Sequence, residues 1–153
     1  MQLADAQALA EQLMTQHGLS RWSFHFDRAK VRFGLCNFRD RVISLSRHLT
    51  ELNHEAVIKN TLLHEIAHAL VGLKHAHDKV WQAKAIEIGC DGARRYNAAS
   101  INTPKLKYSA TCASCQKIYQ AQRVRKHVAC GLCCKTHNQG KFSKKFKLVF
   151  TAH

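Results

Sequence analysis

Four cysteines near the C-terminus restrict the possible fold of this chain most strongly, because their spacing is typical of a structural zinc site. Cys112 and Cys115 form one C-x2-C pair, Cys130 and Cys133 form a second, and fourteen residues separate the pairs. Each pair is expected to make a tight knuckle, and the β-prone residues between the pairs predict a hairpin that brings the knuckles together. A segment of about 45 residues buries too little core to fold alone, so bound zinc would supply its folding free energy.

The other three cysteines have no partner pattern. We expect Cys36 and Cys90 to be small core residues. Cys134 is adjacent to Cys133 and is either an alternative ligand or, as we expect, a free thiol at the surface. The first residues lack the order of a signal peptide, and no run approaches the ~20 apolar residues of a membrane span. We therefore expect reduced thiols and a cytoplasmic, nucleoid-associated protein, or a nuclear one in a eukaryote, with no membrane partner.

The charge of the chain is concentrated in its last third. Residues 1–100 contain 13 Lys and Arg against 10 Asp and Glu, whereas residues 101–153 contain 11 Lys and Arg and no acid. A basic segment without acids is either a disordered tail or a module that binds a polyanion. The only proline, Pro104, follows a stretch rich in Ser, Asn and Thr. This composition change predicts two domains, 1–103 and 104–153.

The basic domain has the residue types that bind nucleic acid. Lys and Arg side chains bind phosphates, and aromatic rings stack on unpaired bases. The aromatic residues are Tyr119, Phe142 and Phe146, although they would equally serve as the small core of the ribbon. We therefore expect DNA, single-stranded or at a junction, as the partner. We also expect the protein to be a monomer. The candidate basic residues are Arg123, Arg125, Lys126, Lys141, Lys144, Lys145 and Lys147.

The first domain has the pattern of an α+β fold. Apolar residues at helical spacing run from Leu3 to a stop at Gly18. Three short strands are predicted within residues 22–27, 30–38 and 41–49, where apolar and polar residues alternate or aromatic and β-branched residues cluster. One long helix is predicted over residues 50–73 and another over 78–89.

The long helix contains the motif HExxH as His64, Glu65 and His68. Residues four apart lie on one face of a helix, so the two imidazoles can bind one cation. Their neighbours in the helix are uncharged, and burial of unpaired polar groups there would cost a few kcal/mol each. A zinc ion with three protein ligands keeps an open position for water, and Glu65 is placed to take the proton of that water.

The third ligand is not fixed by the motif. In the pattern H-E-x-x-H-x-x-G-x-x-H, the glycine and the third histidine would fall at Val71 and Lys74, which excludes that class. The remaining candidates are Glu87 on the following helix and two histidines in the intervening loop, His75 and His77.

The sequence LLHEIAHALVG…HAHDKVWQAKAIEIGC…ARRY resembles the SprT-like zinc metalloprotease family, which includes bacterial SprT proteins and the eukaryotic DNA-repair protease Spartan. The resemblance extends from about Trp22 to the C-terminus. It implies a zincin-like domain with His77 as the third zinc ligand and Trp81 at the family's aromatic position, followed by a β zinc ribbon. Asp78 stands where the family has glycine.

The resemblance also implies a function. It predicts two zinc ions, one catalytic and one structural, and cleavage of proteins bound or crosslinked to DNA, with DNA recruiting or activating the enzyme. Two alternatives remain at this point. A non-enzymatic DNA-binding or regulatory protein would be favoured if His75 and His77 together closed the first site, and a peptidase that acts independently of DNA would use its basic ribbon only for solubility or acidic substrates.

Overall fold

The structure is a computed structural model that describes residues 1–96, 101–124 and 126–152. The chain forms two compact units, Met1–Pro104 and Lys105–His153. The first unit combines helices with a three-stranded sheet, which confirms the predicted α+β class, whereas the second unit, predicted as a β ribbon, also contains a short helix. Within the described ranges, none of the helices has the length and hydropathy that a membrane span requires.

The first unit begins with helix α1, Leu3–Gln16. Its buried residues Ala6, Ala10, Leu13 and Met14 recur at helical spacing and form one apolar stripe. Gly18 ends the helical segment with a φ of 72°, a conformation that glycine adopts at little cost. The predicted first helix and its stop are thus confirmed.

Three short strands follow, in the predicted order. They are β1 (Ser23–Asp27), β2 (Gly34–Asn37) and β3 (Val42–Ser46), and their order in the sheet is β1-β3-β2. β3 is parallel to β1 and antiparallel to β2, which places β2 at an edge. The central strand carries the buried residues Ile43 and Leu45, and these pack in the core of the unit.

The prediction of one long helix over residues 50–73 is wrong, because the chain is extended at Asn53 and His54. Helix α2, Arg47–Leu52, ends there and helix α3, Glu55–Val71, begins. The buried Asn53 side chain donates to the Leu49 carbonyl at 2.7 Å and to the Asn102 carbonyl at 2.8 Å, and it accepts from the Asn102 N–H at 2.8 Å. These bonds stabilise the break with a partner 49 residues away.

Helix α3 lies against both α1 and the sheet. Its buried apolar residues Ile58, Leu62, Leu63 and Ile66 join the core formed with α1 and β3. Gly72, with a φ of 87°, ends the helix. A short loop then leads to helix α4, Lys79–Glu87, which begins one residue after the predicted start at residue 78 and buries Trp81 and Ala85.

The second unit has strands β4 (Tyr108–Thr111), β5 (Ile118–Ala121) and β6 (Thr151–Ala152) in the order β5-β4-β6. The hairpin encloses the first cysteine pair, since β4 precedes Cys112 and β5 follows Cys115. The prediction of a hairpin wholly between the two cysteine pairs is therefore wrong. The second pair lies at the start of helix α5, Gly131–His137, where the Cys130 sulfur accepts from the Cys133 N–H at 3.5 Å.

The small core of this unit also corrects two side-chain predictions. Cys134 is only 4% exposed, because α5 turns it inward beside Cys130, and it is not a surface thiol. Phe146, at the end of a 3-10 turn over Lys144–Phe146, is 5% exposed and packs in the same core. A ring so deeply buried cannot stack on a base.

Candidate metal centre and catalytic cavity

Helix α3 presents His64 and His68 from successive turns on one side, and Glu65 lies beside them. Both histidines are half-buried and line a cavity of about 690 Å³. The α4 residue Trp81 packs beneath them, with its ring centroid 4.6 Å from that of His64 and 5.1 Å from that of His68. The Trp81 ring therefore restricts the rotation of the two imidazole rings on the side away from the cavity.

The loop between α3 and α4 brings His77 to the same point. His77 Nε2 lies 3.0 Å from His64 Nε2 and 3.1 Å from His68 Nε2. One hydrogen bond can join only one pair of these nitrogens, whereas a single cation accommodates all three. Three nitrogens of a tetrahedral zinc site with bonds of about 2.1 Å are about 3.4 Å apart, close to this arrangement. The three residues therefore fit a zinc ion.

The backbone at His77 is unusual. Its φ of 60° is in the left-handed region, which non-glycine residues seldom adopt outside sites where the surroundings hold them. Asp78 supplies part of that restraint, because its Oδ1 accepts from the N–H groups of Val80 and Trp81 at 3.0 Å and caps α4. Asp78 is thus the N-terminal cap of α4.

The two other candidates for the third ligand have different partners. His75 Nδ1 lies 2.8 Å from Asp78 Oδ2, outside the cluster of three imidazole nitrogens. Glu87 is bound to the Lys84 ammonium at 2.6 Å, on the exposed side of α4. Of the alternatives left open by the sequence, the structure brings His77 to His64 and His68.

All three imidazoles favour the neutral form that binds metals. Burial, and next the neighbouring His77, lowers the pKa of His64 to about 4. Burial, followed by His64 and His77, lowers the pKa of His68 to about 4. The pKa of His77 is also lowered, first by its burial and then by the Arg94 guanidinium.

Glu65 lies on the floor of the cavity, where it is 8% exposed. Its side chain fits against the edge strand β2 with no room to spare, since a Cβ at Gly34 would be 2.6 Å from Glu65 Oε1. Burial raises the pKa of Glu65 to about 7, and the Arg32 charge and the Cys36 N–H oppose the rise. A carboxyl group with such a pKa is well matched to general-base catalysis near neutral pH.

Cys36 departs from its predicted role as a core residue. It is only half-buried and lines the cavity on β2. Burial, followed by the nearby Glu65 carboxylate, raises the pKa of the Cys36 thiol to about 12. The thiol is therefore protonated at neutral pH and is a poor nucleophile. Cys90, in contrast, is buried in the core as expected.

The sequence did not reveal one wall of the cavity. The segment 91–96, which follows α4, contributes Arg94, Arg95 and Tyr96 to this wall, together with Arg32. The only signal was the ARRY run, which contributed to the family resemblance without indicating a role.

The comparison with known families agrees with this geometry. The model of the SprT-like family matches residues 3–105, which include the whole of the histidine cluster. The chain belongs to the SprT-like family. The SprT-like family is generally one of metallopeptidases. No curated protein and no solved structure gives a significant match to the chain.

A second candidate metal centre lies in the C-terminal unit, and its residues follow the segment that the SprT-like family model matches. The sulfurs of Cys112 and Cys133 are 3.8 Å apart, those of Cys115 and Cys130 are 3.6 Å apart, and all four lie within 4.8 Å of one another. A disulfide requires about 2.05 Å, whereas zinc–sulfur bonds of about 2.3 Å give tetrahedron edges of about 3.8 Å. The four cysteines therefore fit a zinc ion.

Tyr119 has a role at this cluster that the sequence did not indicate. Its hydroxyl lies 3.0 Å from the Cys130 sulfur, and its ring is half-buried against the core of the unit. The Cys133 N–H, followed by this hydroxyl, lowers the pKa of Cys130 to about 6. Tyr119 thus favours the thiolate that zinc requires, and its hydroxyl is turned toward the metal site.

The candidate nucleic-acid residues have different surroundings. Arg123 lies in a bend after β5 and Lys126 lies in a turn, so neither belongs to a strand of the hairpin, while Arg125 lies outside the described residues. The ring centroids of His127 and Phe142 are 6.2 Å apart, which joins the turn to the later basic segment. Lys126 and four further lysines are exposed, namely Lys141, Lys144, Lys145 and Lys147.

Proposed function

We propose that this chain is a zinc-dependent protease of the zincin type that acts on proteins bound or crosslinked to DNA. The observation that carries the proposal is the convergence of three imidazole Nε2 atoms, two of them within 3.1 Å of the third, in the cavity that contains Glu65. His64, His68 and His77 would hold the zinc ion. Their number leaves a tetrahedral ion one position for water or substrate.

A zinc ion held by these three histidines would lower the pKa of a bound water and polarise the scissile carbonyl. Glu65 takes the proton of the attacking water as the oxygen bonds to the carbonyl carbon and the C=O electron pair moves onto its oxygen. The carbon–nitrogen bond then breaks, and Glu65 returns the proton to the leaving amine. The burial that raises the pKa of Glu65 to about 7 lets the group accept and release this proton near neutral pH.

The edge strand β2 supports a peptide as the substrate. Gly34, Leu35 and Cys36 belong to β2 and line the cavity beside Glu65. Among the described residues β2 pairs only with β3, so its other edge offers backbone groups to an extended chain. Gly34 allows the backbone to approach the carboxyl group closely.

The C-terminal unit supports DNA as the partner. It contains eleven Lys and Arg and no acid, so its cations are not neutralised from within the unit. The contact between His127 and Phe142 places the turn that holds Lys126 next to Lys141. We propose that these exposed groups form one phosphate-binding surface, and that the 45% exposed ring of Phe142 stacks on unpaired bases. Single-stranded or junction DNA is therefore the expected partner.

The test is cleavage of a DNA-binding protein such as a histone by the zinc-loaded chain, with single-stranded DNA, duplex DNA or no DNA. We expect cleavage that DNA stimulates and that deletion of residues 105–153 lowers much more with DNA than without it. Cleavage that is indifferent to both DNA and the deletion would favour a peptidase independent of DNA. Absence of cleavage despite full zinc occupancy would favour a non-enzymatic binding protein.

A further inference from the structure

The segment that follows α4, residues 91–96, crosses the cavity wall and is held at its first end by hydrogen bonds. We call it the strap. The Asp91 N–H donates to Asn60 Oδ1 on α3 at 2.9 Å, and the Ala93 N–H donates to Asp91 Oδ1 at 2.9 Å. Gly92, with a φ of 68°, packs so closely on α4 that a Cβ would lie 2.9 Å from Ile86 Cγ1.

The other end of the strap is held by Tyr96. The Tyr96 hydroxyl donates to the Val31 carbonyl at 3.0 Å, in the loop that precedes β2. The Tyr96 ring meets the buried Phe33 edge-on, with centroids 6.1 Å apart. The strap is thus tied to α3 and α4 on one side of the cavity and to the β1–β2 loop on the other, and its middle residues are fixed relative to the site.

The middle of the strap lies beside the metal-binding histidines. Ala93 and His64 both line the cavity, and Arg94 directly follows Ala93. Arg94 lines the cavity together with His64, Glu65 and His77. A permanent cation therefore lies within the same cavity as the three imidazoles and Glu65.

Two other donors of the cavity wall already have protein partners. The Arg32 guanidinium forms an ion pair with Asp27, and the Tyr96 hydroxyl is bound to Val31. Among the ion pairs of residues 1–96, 101–124 and 126–152, none includes Arg94. Its donors are therefore available to a substrate, whereas Arg32 and the Tyr96 hydroxyl each already have a protein partner.

We infer that Arg94 is a catalytic residue that binds the oxyanion formed when water adds to the scissile carbonyl. This inference rests on the proposed protease function. In that step the water oxygen bonds to the carbonyl carbon, the C=O electron pair becomes the oxyanion, and the water proton passes to Glu65. The Arg94 guanidinium donates hydrogen bonds to the oxyanion and releases them when the carbonyl re-forms and the amine leaves.

The test compares Arg94→Ala with Arg94→Lys and with Arg95→Ala, which removes the same charge one residue along the strap. We expect Arg94→Ala to lower kcat by about 100-fold while KM changes only a few-fold, as for loss of one oxyanion donor. Zinc content should stay at the wild-type value. The lysine variant should recover part of kcat, because it keeps the charge without the guanidinium fork. Arg95→Ala should lose much less.

A second readout does not depend on turnover. A peptide phosphinate carries a tetrahedral anion at the scissile position, and its affinity for the zinc-loaded full chain can be measured by calorimetry. We expect Arg94→Ala to weaken it by about 100-fold and Arg95→Ala by only a few-fold. Equal phosphinate affinity of wild type and Arg94→Ala, or equal losses in the two alanine variants, would overturn the inference. A wild-type chain that binds the phosphinate but cleaves no peptide would overturn the proposed function instead.

Discussion

The two candidate metal centres differ in the chemistry of their ligands and in their accessibility. The histidine cluster has three neutral nitrogen ligands that are half-buried and open into a cavity. The cysteine cluster has four sulfur ligands, and Cys112, Cys130 and Cys133 are at most 3% exposed within a small core. Four ligands complete a tetrahedral zinc ion, whereas three leave a position for chemistry. The number of ligands and their exposure thus distinguish a structural metal site from a catalytic one.

The two units also differ in what holds them together. The first unit buries a core of aliphatic residues from α1, β3 and α3, together with Trp81. The core of the second unit contains few residues, and four of these are cysteines. Loss of metal should therefore unfold the second unit and leave the first folded.

The largest expected effect is that of the paired change Cys112→Ser and Cys115→Ser. It removes two of the four sulfurs, and with them an apparent zinc-binding free energy on the order of 10 kcal/mol that is also folding free energy. We expect one zinc ion fewer per chain and loss of the dispersed NMR signals of the second unit. Signals of the first unit should be unaffected. A second unit that stays folded without zinc would contradict this account of its stability.

The next largest effect should follow from Glu65→Gln, which keeps the shape of the side chain and removes the base. Proteolysis should fall by about 100-fold or more, the usual scale for loss of a general base. Zinc content and melting temperature should hardly change, because Glu65 is not one of the three converging ligands. Unchanged turnover would mean that Glu65 is only a buried acid of the helix.

Gly34→Ala tests how tightly Glu65 fits in the cavity, because it disturbs the cavity without removing a functional group. The added Cβ would lie 2.6 Å from Glu65 Oε1 and 2.8 Å from Glu65 Cγ, so the carboxyl group must shift. A displacement of about 1 Å at a reacting group can cost about 100-fold in rate. We expect kcat to fall by about that factor while zinc content is kept.

Gly131→Ala provides the matched control for this change, since a Cβ there meets nothing within 4 Å. It should leave proteolysis within about twofold of wild type, as is usual for surface changes that disturb no contact. Equal activity of the two glycine variants would show that Glu65 tolerates displacement, against the tight fit described above.

The remaining prediction concerns the salt dependence of DNA binding. If about six cations of residues 105–147 contact phosphates, log K should fall with log salt at a slope near −5, which is about a thousandfold between about 50 and 200 mM salt. Replacement of Arg123, Arg125 and Lys126 by Ala should flatten the slope by up to about three phosphates. The measurement is a fluorescence-anisotropy titration at several salt concentrations.

The control for that series removes three exposed cations from the first unit, Arg39, Lys59 and Lys79, and thus changes net charge equally. It should leave the slope nearly unchanged. The same flattening in both triple variants would attribute binding to overall charge and not to the basic surface of the second unit.

Sequence patterns predicted the elements that depend on local order. Helix α1, the three strands and α4 follow from periodicity and from stop signals such as Gly18. The break between α2 and α3 could not be predicted in this way, because the bonds that stabilise it join Asn53 to Asn102. Local composition contains no information about such a distant partner.

Local sequence likewise predicted one part of the candidate site and not the other. His64, Glu65 and His68 share one helix, so their spacing alone placed them together. His77 reaches them through a loop with a left-handed backbone, and only the family resemblance favoured it over His75. The strap with Arg94 is held to α3 and to the β1–β2 loop by tertiary hydrogen bonds, which no spacing rule anticipates.

The identity of the third zinc ligand is tested most directly by the zinc content of His77→Ala beside that of His75→Ala, measured on purified full-length chains. The two histidines are two residues apart in one loop, yet only His77 Nε2 lies 3.0 Å from His64 Nε2. The account predicts two zinc ions per chain for wild type and for His75→Ala, and about one for His77→Ala, with proteolysis lost in parallel. Two zinc ions in His77→Ala, or one in His75→Ala, would contradict the assignment of His64, His68 and His77 as the catalytic ligand set.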